Sequence, residues 1–390
     1  MITVREAQDM LFGLVAPLPV EHVPLAQAAD RVLAHDVKAN RDQPPFAASS
    51  MDGYAVKSAE VQLHAMFKVI GEAAAGHRFD GAVGAGQAVR IFTGAPMPEG
   101  TDFVVIQEDV TRSGDLFTIT DEPGTKSNVR PKAVDFSCGS TMSAPRRLRA
   151  ADVALLASMN VPMVPVARKP VVALISTGDE LVMPGDTPGP DQIIASNTFG
   201  LKAMLESSGA IVRVLPIARD TVSSLQMAFD LARGADLVIT IGGASVGDHD
   251  LVGDVAATLG MDRAFYKVRM RPGKPLMAGR MGRAAMVGLP GNPVSAMICG
   301  QLMVVPMIGK MLGLGENLPV RRTAVLAQDT DANGPREHYM RATIQNGKLT
   351  PAHSQDSSLL SVLADTNALW VRVPHDPPRT AGETVEYLEI

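Results

Sequence analysis

The chain has 390 residues, with 36 Lys and Arg against 41 Asp and Glu, for a net charge of −5. That acidic balance speaks against general nucleic-acid binding, which shows as a basic face or stripe, and the length calls for two to four domains. Cys138 and Cys299 are too few for a disulfide framework or a Cys-based zinc site, and they fit a reducing compartment.

Arg5, Glu6 and Asp9 stand where a signal peptide needs an apolar core. Thr3 and Glu6 have the spacing of a capping box instead. They predict a helix with Ala7, Met10, Leu11 and Leu14 on its buried face, ending near Pro17. Residues 24–38 read as a second short helix and a strand-like run, and prolines within 42–50 exclude regular structure there. Met51-Asp52-Gly53-Tyr54-Ala55-Val56 follows. On this ground alone Asp52 reads as a turn or cap residue before it reads as a reactive carboxylate.

From 57 to 137, short strands separated by glycines predict a small β-rich module: Phe67 to Gly71, Ala88 to Phe92, Phe103 to Ile106 and Leu116 to Ile119. Thr93 and Gly94, in a loop stiffened by Pro96 and Pro98, either hold an oxyanion or turn a corner. Arg130 and Asp135 read first as an exposed ion pair. Arg149 to Asn160 predicts an amphipathic helix burying Val153, Leu155, Leu156 and Met159.

Residues 169–313 alternate strand and helix, with strands at Val171 to Ser176, Ile211 to Ile217, 236 to 241 and Ala284 to Gly288, which predicts a doubly wound α/β domain. Leu237 to Ile241 is an apolar run with no period, as in a strand buried on both faces. Gly242 and Gly243 follow at once and let the backbone turn sharply beside a ligand at the strand's carboxyl end. Ser245, Gly247, Asp248 and Asp250 crowd the same edge. Carboxylates repel a phosphate unless a divalent cation lies between them, so the stretch suggests a Mg²⁺-assisted site for a phosphorylated ligand. Taken alone, Gly-Gly after a strand is more often just a turn.

Other strand ends bring Glu180, Asp220 and the Gly288-to-Pro293 segment toward the same pocket. Pro272-Gly273-Lys274-Pro275 fixes where Lys274 points, and with Arg269 and Arg271 it forms a cationic patch suited to an anion. The apolar run 293–309 is interrupted by Gln301 and Pro306, and reads as a buried helix on the sheet. Residues 320–390 read as a compact β module with strands near Arg322 to Ala327, Tyr339 to Gln345, Leu369 to Val373 and Val385 to Leu388.

Several motifs stand in one order along nearly the whole chain. They are Ser50 to Val56, Thr93-Gly94-Ala95-Pro96, Asn128-Val129-Arg130 with Asp135, Ser176-Thr177-Gly178-Asp179-Glu180-Leu181, Gly242 to Asp248, Pro272 to Pro275, and Gly288 to Pro293. Together they resemble the molybdopterin molybdenumtransferase family, the MoeA proteins and the E domains of gephyrin. The resemblance implies an α/β and β multidomain fold in a cytoplasmic homodimer. Its parts are a linking domain, 1–168, with an inserted β-rich domain at about 57–137; a molybdopterin-binding α/β domain, 169–318; and a C-terminal β-barrel, 319–390.

It also implies a reaction in which molybdate and adenylylated molybdopterin yield AMP and a molybdenum-loaded dithiolene. The implied catalytic acids are Asp52, Asp135, Glu180, Asp220 and Asp250. Glu180, Asp220 and Asp250 would hold Mg²⁺, while Asp52 and Asp135 would face the reacting centre across the dimer. Arg130, Arg271 and Lys274 would hold the oxyanion, with Ser357 and Ser361 reaching it. Thr93, Gly94, Asn197, Gly242, Gly243, Ser245, Pro290, Asn292 and Pro293 would line the substrate.

Further implied partners are molybdopterin adenylyltransferase and molybdoenzyme chaperones, with no nucleic acid and no membrane. Two departures from the family pattern stand out. Ala133 occupies a place where relatives often have glycine, and Asp356 one where glycine usually precedes Ser357. The rivals are the adenylyltransferase, which does not need residues 1–168 or 320–390, and a gephyrin-like scaffold, which has no reason to keep clustered acids.

Overall fold

A computed structural model describes residues 1–243 and 251–390, and the chain packs as two compact units. One comprises 22–29 and 35–165; the other comprises 1–21, 30–34 and 166–390.

The first unit is built on a six-stranded sheet in the order Phe103–Ile106, Gly53–Val56, Gln87–Ile91, Met66–Ala73, Leu116–Ile119, Val110–Ser113. The sheet is apolar on both faces because successive side chains alternate. Tyr54, Val56, Phe103 and Val105 join one cluster, while Ala55 and Val104 join the other. Gly53 carries no side chain for a plain reason: a Cβ there would lie 2.0 Å from the Val105 carbonyl oxygen. The sheet thus takes in Gly53–Val56, ahead of residue 57.

Residues 24–38 fold as a 3-10 turn, Leu25–Gln27, and the two-residue strands Val32–Leu33 and Val37–Lys38. The expected helix near 149–160 is Ala150–Ser158, but its buried set differs from the apolar pattern. Leu156 and Met159 are buried and Val153 and Leu155 only half-buried, while the Asp152 carboxylate is 4% exposed. Asp152 accepts from the Arg149 amide at 2.9 Å and pairs with Arg146 at 3.1 Å, so it caps the helix from inside.

In the second unit six strands form one sheet: β1 (Val171–Ser176), β2 (Ile211–Val214), β3 (Leu237–Ile241), β4 (Met261–Tyr266), β5 (Met277–Met281) and β6 (Ala284–Leu289). Their order is β2-β1-β3-β6-β5-β4, parallel through β6 and antiparallel beyond it. β4 and β5 went unread because they are poor in β-branched residues. Gly279 marks their ladder, since a Cβ there would lie 2.3 Å from the Asp262 carbonyl oxygen.

The helices are α1 (Val4–Gly13), α2 (Ser196–Ser207), α3 (Val222–Leu231), α4 (Leu251–Thr258) and α5 (Pro293–Met311). Val172 and Leu174 pack with α2 and α5, whereas Ala173 and Ile175 pack with α3 and α4. The sheet is therefore wound on both faces, as expected. α5 is long and apolar enough to span a bilayer, but 72% of it is buried inside the protein, as a core helix would be. It crosses α2 closely through glycines: a Cβ on Gly200 would meet Met297 Sδ at 2.9 Å, and one on Gly300 would meet Leu201 at 2.7 Å.

The capping box of α1 is present, with Glu6 accepting from the Thr3 amide at 2.7 Å. Its buried face is Val4, Ala7, Gln8, Leu11 and Phe12, while Met10 is 42% exposed. Gln8 replaces Met10 because α5 contains a π-helical turn at Gly300–Val304, and the Gln8 amide donates to the Leu302 carbonyl at 3.1 Å.

Beyond α5, Arg322–Leu326, Glu337–Gln345, Lys348–Pro351, Ala368–Arg372 and Thr384–Glu389 close a five-stranded barrel around Trp370 and Leu349. A short strand, Met270–Arg271, runs parallel to Glu337 and His338 at its edge.

Ala133 sits at φ +59°, the left-handed region that disfavours a Cβ. Glycine there removes a cost of about 1–2 kcal/mol and returns about 0.5–1 kcal/mol of unfolded-chain entropy. Ala133→Gly should therefore raise the urea-unfolding free energy of the first unit by about 0.5–1 kcal/mol, and its midpoint with it. A fall in that midpoint would contradict the assignment of strain to this position.

Candidate functional site

The sheet order reverses between β1 and β3, and open α/β sheets bind ligands in the crevice left at such a reversal. The strand ends are tied there by the backbone. Thr177 donates its amide to Ile241 at 3.0 Å, and Gly242 donates to Leu289 at 3.1 Å. Gly242 and Gly243 both take positive φ, at +92° and +66°. A Cβ on Gly242 would lie 2.7 Å from the Thr177 carbonyl oxygen, and one on Gly243 would lie 2.2 Å from Val252. Only glycine fits either position.

These ends open into a cavity of about 1050 Å³ lined by Thr177, Gly178, Glu180, Asn197, Asp220, Gly242, Gly243, Asp254, Pro290, Asn292, Pro293 and Ser358, among others. That volume accommodates a nucleotide-sized ligand. Its polar wall is acidic. Glu180 carries its carboxylate over Gly178, where a Cβ would meet Glu180 Oε2 at 2.4 Å. Desolvation, then the neighbouring charges of Asp179 and Glu180, push the Asp220 carboxyl above its ordinary range. Arg219 answers Asp179 alone: its guanidinium donates to the Asp179 carbonyl at 2.9 Å and lies 3.9 Å from the Asp179 carboxylate.

Among the described residues, Glu180, Asp220 and Asp254 have no ion-pair partner, and no three His, Cys, Asp or Glu groups form a ready-made metal cage. Asp250 and Ser245, with Gly247 and Asp248, lie outside the described residues. Asp254 was missed from sequence; its one signal was an acid in the first turn of the helix that follows the glycine turn.

The opposite rim is neutral and hydrogen-bonded. Asn197, in the first turn of α2, donates to the Gly291 carbonyl at 2.7 Å, and Asn292 donates to Ser357 Oγ at 3.1 Å. The Ser357 carbonyl accepts from Val294 at 3.0 Å, so Ser357 belongs to the rim. Asp356 spends its charge locally, accepting from the Ser358 amide and hydroxyl at 2.9 and 2.8 Å. Ser361 lies outside the lining, on the short helix Leu360–Ala364.

Pro275 reaches the lining, while Arg271 and Lys274 occupy the same turn outside it. Gly273, at φ +104°, lets that turn sit on Cys299, whose Sγ would be 2.4 Å from a Cβ. Burial pushes the Cys299 thiol up to about 12, which makes it an inert floor. The turn's cationic character extends into the barrel. His338 is pushed down to about 3 by burial and then by Arg271, Arg372, Arg336 and Arg341.

In the first unit, Asp52 accepts from the Thr93 amide at 2.8 Å and from its hydroxyl at 2.9 Å. These two bonds, backbone first, hold the Asp52 carboxyl below its ordinary range. Gly94, at φ +84°, donates its amide to Ser49 at 2.9 Å and fixes the loop. Arg130 extends the strand Val129–Arg130, paired with Ala48–Ser49, and is exposed. The expected Arg130–Asp135 pair does not form. The ion pair in this loop joins Lys132 to Asp42 at 3.0 Å, leaving the Arg130 guanidinium and the Asp135 carboxylate without ion-pair partners among the described residues.

Comparison with known proteins covers the whole chain. Residues 2–160 match the MoeA N-terminal region (domain I and II), 173–310 a probable molybdopterin binding domain, and 323–390 the MoeA C-terminal region (domain IV). A molybdopterin molybdenumtransferase of Nostoc is 35% identical, across 100% of this chain and 94% of that protein. One from Haemophilus influenzae is 34% identical, across 99% and 98%. The crystal structure of a molybdopterin biosynthesis MoeA protein from Pyrococcus horikoshii superposes with a TM-score of 0.85 at 28% identity, covering 100% of this chain and 99% of that one. With its sequence and its fold matched end to end, the chain belongs to the MoeA family of molybdopterin molybdenumtransferases.

Proposed function

We propose that this chain inserts molybdenum from molybdate into adenylylated molybdopterin and releases AMP. The observation that carries the reading is the acid-walled cavity at the β1/β3 reversal, which has the size for a nucleotide and the wrong charge for a phosphate unless a cation intervenes. Glu180, Asp220 and Asp254 line the cavity with the oxygen-only ligands that suit Mg²⁺, and Asp250, outside the described residues, is the further acid that the family resemblance assigns to the metal. Mg²⁺ bound there would offset the repulsion between the pyrophosphate and the wall.

The chain's own residues do the rest. Gly242, Gly243, Pro290, Asn292 and Pro293 shape the pocket, and Asn197 holds its rim closed against Gly291. Arg130, Arg271 and Lys274 supply fixed cations for molybdate, and Ser357 supplies a hydroxyl beside Asn292. Asp52, kept ionised by Thr93, serves as a proton acceptor or a fixed negative charge rather than as an acid. Asp135 stands as its companion carboxylate.

The cavity lining lies entirely within the second unit, whereas Asp52, Thr93, Arg130 and Asp135 lie in the first. A homodimer that brings the two sets together is part of this reading. So is a cytoplasmic setting, where Cys138 and Cys299, both free, stay reduced.

The test is AMP release from adenylylated molybdopterin with Mg²⁺, with and without molybdate. Molybdate-dependent release is expected; pyrophosphate from ATP and molybdopterin instead would point to the adenylyltransferase. Asp220→Asn should cut the molybdate-dependent rate roughly 100-fold.

Because the folded Asp220 carboxyl titrates above its unfolded value, the folded state loses stability as pH rises through that window. Without Mg²⁺, Asp220→Asn should therefore be the more stable protein at pH 7. The gap should close as the pH falls below the ordinary carboxylate range. Thermal unfolding across pH reads this, and a variant less stable at pH 7 would contradict it.

A further inference from the structure

Three buried hydroxyls have no hydrogen-bond partner among the described residues: Thr177, Thr240 and Thr330. Buried polar groups are ordinarily paired, so each asks for a reason. Only Thr177 lines the cavity. Its neighbour shows that pairing is within reach of this sequence, since the Ser176 hydroxyl bonds that of Thr198.

Thr177 is 3% exposed and held rigidly, with its amide on Ile241 and the following amide, Gly178, on Ala218 at 3.2 Å. Its Oγ1 lies 3.2 Å from where a Cβ of Gly242 would stand and 3.0 Å from that of Gly243. The Gly242 amide is committed to Leu289. The Gly243 amide donates to nothing among the described residues. An unpaired acceptor and an unpaired donor thus stand side by side, the first on a fixed strand end and the second on a turn of two glycines.

We propose that Thr177 is a positioning residue whose hydroxyl accepts a hydrogen bond from the Gly243 amide when a phosphate-bearing nucleotide seats against the turn. A phosphate at this edge draws backbone amides toward it, and glycines let the turn follow. The bond is absent without ligand, so its free energy adds to binding rather than to folding. This deepens the functional reading above and rests on it.

Thr240 provides an internal standard. It is fully buried in mid-strand, facing Gly288 of β6, and does not line the cavity.

The experiment compares wild type, Thr177→Val, Thr177→Ser and Thr240→Val, by thermal unfolding without ligand and by calorimetric titration with AMP and Mg²⁺. Thr177→Val should unfold no lower than wild type and bind AMP roughly three- to tenfold more weakly. Thr177→Ser should restore the affinity, and Thr240→Val should leave it unchanged. Amide exchange in the wild type gives a reading that does not depend on a variant folding: AMP should slow exchange at Gly243.

AMP binding by the wild type with unchanged affinity in Thr177→Val, or with no slowing at Gly243, overturns the proposal and leaves the functional reading standing. A wild type that binds no AMP overturns both.

Discussion

The reversal of strand order between β1 and β3 is the constraint on which the rest depends. Helices leave the two strands toward opposite sides, so nothing in the sheet covers their carboxyl ends. Backbone bonds from Thr177 to Ile241 and from Gly242 to Leu289 then lock three strand ends together. The crevice is held open by the same bonds that hold the sheet closed. α5, crossing α2 through Gly200 and Gly300, sets the far rim in a fixed place.

Charge gives this crevice its character. Asp220 is raised by burial and by two neighbouring carboxylates, a condition that costs stability and that a divalent cation bound there would relieve. Asp52 is in the opposite state, held ionised by two bonds from Thr93. Two acids in contrasting environments suit the two roles proposed for them, Asp220 toward the metal and Asp52 toward the reacting centre. The cationic turn at 271–274 supplies the third element, rooted in the barrel by the Met270–Arg271 pairing and supported from below by the inert Cys299.

Much of this was legible in the residues. The period-free run Leu237–Ile241 announced a strand buried on both faces, and the glycines after it announced a ligand-side turn. Four of the six strands of the α/β sheet followed from apolar runs. β4 and β5 did not, because neither contains a β-branched residue; β5 is paired onto the β6 edge and β4 onto β5. Gln8 and Asp152 were absent from the expected buried faces because their partners, a π-turn carbonyl and a pair of arginines, exist only after folding. Ser357 joined the rim despite Asp356, whose charge turns onto Ser358.

The central claim is that the acid wall accepts a phosphorylated ligand only with a divalent cation. Calorimetric titration of AMP into the metal-stripped protein, with and without Mg²⁺, tests it most directly. The account predicts measurable binding with Mg²⁺ and at least tenfold weaker binding without it, about 1.4 kcal/mol or more of coupling. Equal affinity in both titrations would contradict it.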